Sequence, residues 1–418
     1  MEEQHKQAQC LLQAFWRTFT ALPDYTTLVH LSIQTEPGKV IWETTRPLPY
    51  RMRQEVEEEV QAMLALGVIE PSQSEWRSPV VSVPKPDGTR RICIDFRQVN
   101  AISRFNAYPM PRVDELLGRL GEAQFITTLN LSKGYWQIPL DYTSKEKTAF
   151  ATPSGLYQFT RMPFGLHGAP ATFQQLMDRL LRSHQAYVVA YLDDVVIYSH
   201  HWEDHLERTA LRSLQQAGLT ANPKKCCIGW QEAMYLGYII GKGRVRPLVE
   251  KVQALGACPP PTTKHQVQQF LGLAGYYQRF IPQFASITAP LTGLLTKNSP
   301  QRVQWSQNCE DAFQTFQTCL CQQPVLYSPD FDWGFILHTD ALEVGLGAVL
   351  SQDVDGDDNP VLYLSRKLFP HEKNYAVIET EALAVKWACG ALRYYLLGAP
   401  FTLVTDHAPP PMVNKNEK

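Results

Sequence analysis

Apolar residues recur along this chain at two spacings, and the spacings divide it into elements before any chemistry is considered. Val56, Val60, Met63 and Leu64 lie on one face of an expected helix over residues 54–66, stopped by Gly67. Residues 79–83 and 91–94 read as paired strands joined by the turn sequence Lys85-Pro86-Asp87-Gly88. Val113, Leu116, Leu117 and Leu120 mark another helix ending near Gly121, and residues 125–131 read as a strand. Phe173, Leu176, Met177, Leu180 and Leu181 return to helical spacing behind Pro170, a residue suited to a first turn. Two β-type runs, 186–191 and 195–198, then flank Leu192-Asp193-Asp194, which places the acids at a hairpin tip. Residues 206–217 are helical again and stop at Gly218. From residue 125 the order is strand, helix, strand hairpin, helix, strand. It predicts a split βαβ layout, an antiparallel sheet with helices on one face.

Pro259-Pro260-Pro261 marks a boundary. Beyond it, residues 266–295 are expected to be helical, with Phe270, Leu271, Leu273, Tyr276, Tyr277 and Phe280 as the apolar positions. Composition changes again near Pro329. Strands are expected at 334–339, 345–351 and 361–365, a helix at 378–392, and a fourth strand at 401–405 leading into Asp406. Residues 1–50 read as a leader, with a helix-like stretch at 11–19 and an irregular Pro-containing remainder. Residues 409–418 read as a divergent polar tail.

Length alone suggests two to four domains for 418 residues. Apolar content of 44% with 11% aromatic excludes global disorder. A net charge of −2 excludes a uniformly basic nucleic-acid binder but permits a local groove, and Lys242, Arg244, Arg246 and Lys251 form a basic cluster. Nine scattered cysteines make no disulfide framework and point to a reducing compartment. Asp193 and Asp194 interrupt the longest apolar run, so no membrane span is expected. The expectation is a soluble intracellular protein without a membrane partner, cytoplasmic or particle-associated, with a nuclear location left open.

The adjacent carboxylates of Asp193 and Asp194 carry the clearest chemistry. In so apolar a setting they need a cation or hydrogen bonds to compensate them. Two-metal nucleotidyl transfer uses such clusters. Other candidates are weaker. His201 and His205 have i, i+4 spacing but no third ligand, and read as a surface helix. The run Asp353-Val354-Asp355-Gly356-Asp357-Asp358 has its glycine too early for a calcium loop, and Leu364 stands where the closing glutamate belongs, so it reads as a hairpin loop. Cys226-Cys227 and Cys319/Cys321 lack zinc-site spacing.

Ordered motifs along nearly the whole chain resemble those of the reverse transcriptase–ribonuclease H part of Gypsy-like LTR-retrotransposon Pol polyproteins. They include Pro84-Lys85-Pro86-Asp87-Gly88, Gly134-Tyr135-Trp136-Gln137, Met162-Pro163-Phe164-Gly165, Tyr191-Leu192-Asp193-Asp194, Tyr235-Leu236-Gly237, His338-Thr339-Asp340 and Thr405-Asp406-His407. The resemblance implies an α+β fold: a right-hand polymerase with fingers and a split βαβ palm at 51–240, and a helical thumb and connection at 241–328. An incomplete α/β ribonuclease H domain at 329–408 follows. It implies RNA template, DNA primer, RNA–DNA hybrid and dNTPs as partners, and two Mg²⁺ per site, with Mn²⁺ as the alternative. Oligomeric state is left open.

Residue roles follow from the same resemblance. Asp193 and Asp194 fill two of the palm's three acidic positions, and the third is Asn130. An amide oxygen brings no charge, and Mg²⁺ prefers carboxylates, so impaired synthesis is expected. A non-catalytic nucleic-acid-binding remnant is the rival reading. Lys85 and Arg91 resemble the residues that hold the incoming triphosphate. Tyr135 resembles the gate against a ribose 2′-hydroxyl, Phe164 and Gly165 the nucleotide pocket, and Gln174 the template side. Lys225 resembles a lysine behind the triphosphate, with Lys224 equally eligible. The basic cluster would face the primer duplex. In the ribonuclease H part, Asp340, Asp406 and one helical glutamate would bind metal. Glu379 and Glu381 lie about 200° apart around a helix, and the family pattern selects Glu381. A last acidic ligand would lie beyond a further helix and strand, so a partial domain with weak hydrolysis is expected.

Overall fold

Four strands rich in β-branched residues carry the acidic hairpin. Their order is Val188–Tyr191, Asp194–Ser199, Phe125–Asn130, Cys227–Trp230, antiparallel throughout. Alternation sends Leu129, Val195 and Ile197 to one face, where they share a core with Phe173, Leu176 and Met177 of the helix Ala169–Leu180. Asn130 and Asp194 point to the other face. This is the expected split layout. The computed structural model describes residues 2–45, 49–84, 90–120, 123–207, 210–297, 299–322, 324–354 and 356–406. It resolves into two units, Met1–Leu116 with Gln124–Ala233, and Leu117–Ala123 with Met234–Lys418.

In the first unit the strands Ser78–Pro84 and Arg90–Ile94 pair as expected. They extend into a five-stranded sheet through Phe150–Thr152, Gly155–Phe159 and Ile69–Pro71, a hairpin and an edge that the pattern did not reveal. The helix Tyr50–Ala65 starts four residues before its expected beginning and ends before Gly67, whose φ of +62° suits glycine. The expected helix over 206–217 is two short pieces, Trp202–Glu207 and Leu211–Gln216.

The N-terminal segment forms a strap over the first unit. After the helix Glu2–Ala14 its irregular backbone is tied to distant strands and loops. Thr18 O accepts from Ala221 N at 2.7 Å, Thr26 N donates to Gln137 O at 2.8 Å and Leu31 N to Pro139 O at 2.9 Å. Arg104 N donates to Gln34 O at 2.8 Å and Arg77 N to Ile41 O at 2.9 Å. The helix-like stretch expected at 11–19 therefore lies mostly beyond the real helix.

The second unit holds the hairpin Tyr238–Gly241/Arg244–Pro247, turned by Lys242 and Gly243 at φ +54° and +69°, the signature of a type I′ turn. The helical region expected at 266–295 is Lys264–Tyr276, started by a Thr263/Gln266 capping box, followed by the short pieces Phe284–Ile287 and Ala289–Gly293. Val249–Gly256 and Gln307–Cys321 are further helices. The last sheet runs Asp357–Lys367, Gly345–Val354, Phe335–Leu342, Phe401–Thr405, with only the final pair parallel. The helix Val377–Ala391 covers one face, where Ala388 and Leu392 meet Phe335, Leu337, Leu350 and Leu362. Among the described residues no helix is long and apolar enough to cross a membrane.

Candidate active site

The acidic hairpin turns in two residues, Tyr191 pairing with Asp194. Leu192 occupies the first turn position at φ +55°. Such turns favour glycine there, and a residue with a Cβ is strained by about 1–2 kcal/mol. The strain leaves Asp193 at the tip and Asp194 at the first position of the following strand. Asp193 O accepts from Leu131 N at 2.9 Å. Burial, and then the neighbouring Asp194 charge, push the Asp193 carboxyl above its ordinary range, while Lys225 opposes them.

Asn130 lies directly across the sheet from Asp194, and its Nδ2 donates to Asp194 Oδ1 at 2.7 Å. A carboxylate only accepts, so this is the favoured orientation of the amide in the absence of a cation. Offering its oxygen to a metal would require Asn130 to turn over and give up a charge-assisted bond, one of the stronger kinds. The two remaining carboxylates and this amide donor do not fit a pair of divalent cations.

Around this centre the Tyr135 ring packs at a tilt against Phe164 at 5.0 Å and Phe173 at 5.8 Å. Burial, then the negative charge of Asp193, push its phenol up to about 12, so it is neutral at physiological pH. Phe164 is exposed, and Gly165, at φ +98°, is held by Asn100 Nδ2 donating to its carbonyl at 2.8 Å. Lys85 lies outside the described residues; Arg91 sits in the strand Arg90–Ile94, of which only its backbone is described. Gln174, expected at the template side, is turned inward. It is fully buried, and its side chain bonds Asp178, Ala190 and Leu192. Sequence reasoning missed this role, although a glutamine between Phe173 and Leu176 on an apolar helix face was a signal of a buried polar contact.

Lys242, Arg244 and Lys251 are exposed in the second unit, and Arg246 shares a strand face with Arg244. The Arg244 guanidinium lies 5.3 Å from the Tyr327 ring. His205 is buried, in place of the surface position expected. Thr127 Oγ1 and Ser199 Oγ bond its two ring nitrogens at 2.7 and 3.0 Å, which leaves no lone pair for a metal.

The ribonuclease H candidates are not brought together. Asp340 alternates with Thr339 and Leu337, so it points away from the helix Val377–Ala391. Its Oδ2 accepts from Gln283 Nε2 at 2.6 Å. Glu381 is buried on that helix's inner face, against the opposite side of the sheet. Glu379 is a cap, accepting from Ala376 N at 2.9 Å. Asp406 is exposed, one residue past the register Thr339–Thr405. Among the described residues no group of three or more His, Cys, Asp or Glu could hold a metal ion. The run 353–358 is a hairpin loop as expected, Val354 pairing with Asp357, with Asp355 outside the described residues.

Residues 83–240 match the family described as reverse transcriptase (RNA-dependent DNA polymerase), and residues 305–403 the RNase H-like domain found in reverse transcriptase. The chain is 40% identical over 393 residues to the Retrovirus-related Pol polyprotein from transposon 297 of Drosophila melanogaster, covering 92% of this chain and 37% of that one. The Pol polyprotein from transposon gypsy of the same fly is 36% identical over 417 residues, 95% of this chain and 40% of that one. The chain carries a reverse transcriptase domain and an RNase H-like domain, and its curated relatives are Gypsy-type retrotransposon Pol polyproteins. It spans about two-fifths of the length of these curated relatives. The foamy viral protease-reverse transcriptase solved with an RNA/DNA hybrid shares its fold, with a TM-score of 0.86 at 21% identity over 97% of this chain and 55% of that one. A second foamy viral structure, with ds DNA, gives 0.88 at 21% identity over 97% and 72%. The fold is thus that of a right-hand polymerase followed by a ribonuclease H-like domain. Both families are families of enzymes that generally use divalent metals.

Proposed function

We propose that this chain is the RNA-directed DNA polymerase and ribonuclease H-like segment of a retrotransposon Pol protein, with its nucleotidyl transfer suppressed by Asn130. Its partners would be an RNA template, a DNA primer, their hybrid and dNTPs, with Mg²⁺ as the family's metal. The neighbouring foamy viral structures hold an RNA/DNA hybrid or ds DNA, which supports nucleic-acid partners. The exposed cations Lys242, Arg244 and Lys251 suit phosphate contacts, and binding through them would weaken with salt. Tyr135 and Phe164 offer an aromatic wall for a nucleotide sugar, and Lys225 a cation near its phosphates.

The observation that carries the proposal is the Asn130 Nδ2 to Asp194 Oδ1 bond. It replaces a carboxylate with a donor aimed at a neighbouring acid. Losing that charge is expected to slow primer extension by at least about 100-fold, or roughly 2.7 kcal/mol of barrier. Primer extension by this chain and by Asn130→Asp, at equal protein and Mg²⁺, tests it. The variant should be faster by that factor, with hybrid affinity unchanged between the two. Equal rates overturn the role given to Asn130. Hybrid binding without extension by either protein favours the alternative reading, a non-catalytic nucleic-acid-binding remnant.

A further inference from the structure

Gln174 is a fully buried glutamine in the middle of the helix Ala169–Leu180. Its Nε2 donates to Asp178 Oδ1 at 2.8 Å and to Ala190 O at 3.1 Å, and its Oε1 accepts from Leu192 N at 2.8 Å. Asp178 is held in turn, its Oδ2 accepting from the Tyr108 hydroxyl at 2.7 Å. The direction of this chain is forced. Asp178 can only accept, so the amide must present its NH₂ to it, and its oxygen is left for Leu192. The residue it reaches is the strained one, at φ +55° in the turn that carries Asp193 and Asp194. Strain of this kind persists only where surrounding contacts over-determine it. Here the contacts are a bond from each side: Gln174 on Leu192 N, and Leu131 N on Asp193 O at 2.9 Å.

We propose that Gln174 is a positioning residue for the palm site. Locked by Asp178 and Tyr108, it holds Leu192 in the left-handed conformation and so fixes where the Asp193 carboxylate stands. Without the clamp the Leu192 peptide relaxes to negative φ and the tip of the hairpin moves. Gln174 touches no substrate and acts only through the turn. The kinetic part of this inference rests on the polymerase reading; the structural part does not.

Two measurements separate them. The first is hydrogen exchange at the Leu192 amide in Gln174→Met, which keeps side-chain length and removes the acceptor. Exchange there should rise by about tenfold or more, while the amides of Val195 and Ile197 keep their protection. Unchanged exchange at Leu192 overturns the proposal. Loss of protection along the whole strand also does so, because Gln174 would then be a general core residue. The second is primer extension in the Asn130→Asp background. Gln174→Met should lower kcat by about 100-fold with the KM for dNTP moving less than about threefold. Leu192→Gly, which accepts positive φ without a clamp, should restore most of the loss in the double variant. A kcat that stays low in that double variant overturns the proposal. If Asn130→Asp does not extend primers at all, the polymerase reading fails, and amide exchange alone still decides the clamp.

Discussion

Beside Asp193 in the palm lies a residue with no side chain. A Cβ built on Gly134 would lie 2.8 Å from Asp193 Cβ and 3.3 Å from Phe173 Cζ. Neither neighbour can retreat: Phe173 is fully buried, and Asp193 is tied through its carbonyl. Gly134→Ala is therefore expected to destabilise the protein by about 1–3 kcal/mol, the usual cost of overpacking. Urea unfolding of the variant against the parent measures this, and coincident curves would show that the hairpin yields freely. At this scale the residue types of the site were legible in the sequence, because Asp193, Asp194 and the amide at position 130 are local facts. Their bonds were not. That Asn130 donates to Asp194, or that Gln174 faces inward, depends on strand register and helix phase across dozens of residues. The resemblance gives Gln174 a template role, whereas the helix face it occupies turns it inward to Leu192.

Elements with a clean period were read correctly, and those whose period is diluted were missed. The strands and helix at 334–405 were found because short apolar runs and one long apolar stretch there are bounded by glycine, proline and polar turn residues. The helix Gln307–Cys321 buries Cys309, Ala312, Phe313, Phe316 and Leu320 at helical spacing. That spacing is present in the sequence, but the element was not read because glutamines, threonines and cysteines fill the positions between. The N-terminal strap could not be read at all, since its order comes from hydrogen bonds to distant backbone rather than from its own pattern. A related device joins elements in the second unit. Arg366, on the strand Asp357–Lys367, forms a two-point ion pair with Glu372 at 2.6 and 2.9 Å, and Phe369 N donates to the same carboxylate at 2.8 Å. These bonds, the Arg366 one first, lower the Glu372 carboxyl from 4.5 to about 2. A depressed carboxyl stabilises the fold fully above its unfolded value, and the contribution disappears as pH falls through the folded one. The pair should thus be intact at neutral pH and lost between about pH 4.5 and 2. Glu372→Gln should be less stable than the parent at pH 7, and the gap should close towards pH 2. Thermal melts across that window check it, and a gap independent of pH would show that the ion pair contributes nothing.

For the whole molecule, the fold was legible further than the second chemistry. Fold class, element order and family could be read because many short motifs lie in order along the chain, each tied to a local structure. Whether three acids share one site is a different kind of fact, set by which face of a sheet each side chain takes. Asp340 and Glu381 emerge on opposite faces, and Asp340 is instead bonded to Gln283, a residue at φ +52° that opens the short helix Phe284–Ile287. Two further bonds join the same segment to the sheet, Ala285 N donating to Ser365 Oγ at 2.8 Å and Lys367 Nζ to Ala289 O at 3.3 Å. The geometry makes Asp340 a latch between helix and sheet. Removing either partner should then cost the same interaction. Gln283→Ala and Asp340→Ala are each expected to destabilise the protein by about 1.5–3 kcal/mol, the range for a hydrogen bond to a charged group. The double variant should lose clearly less than the sum, because one bond cannot be broken twice. Asp340→Asn, which still presents an oxygen to Gln283, should stay close to the parent. Urea unfolding of the four variants beside the parent decides the matter: strict additivity removes the latch, and a metal-binding role for Asp340 predicts instead that Asp340→Asn abolishes Mg²⁺ binding while Gln283→Ala leaves it untouched.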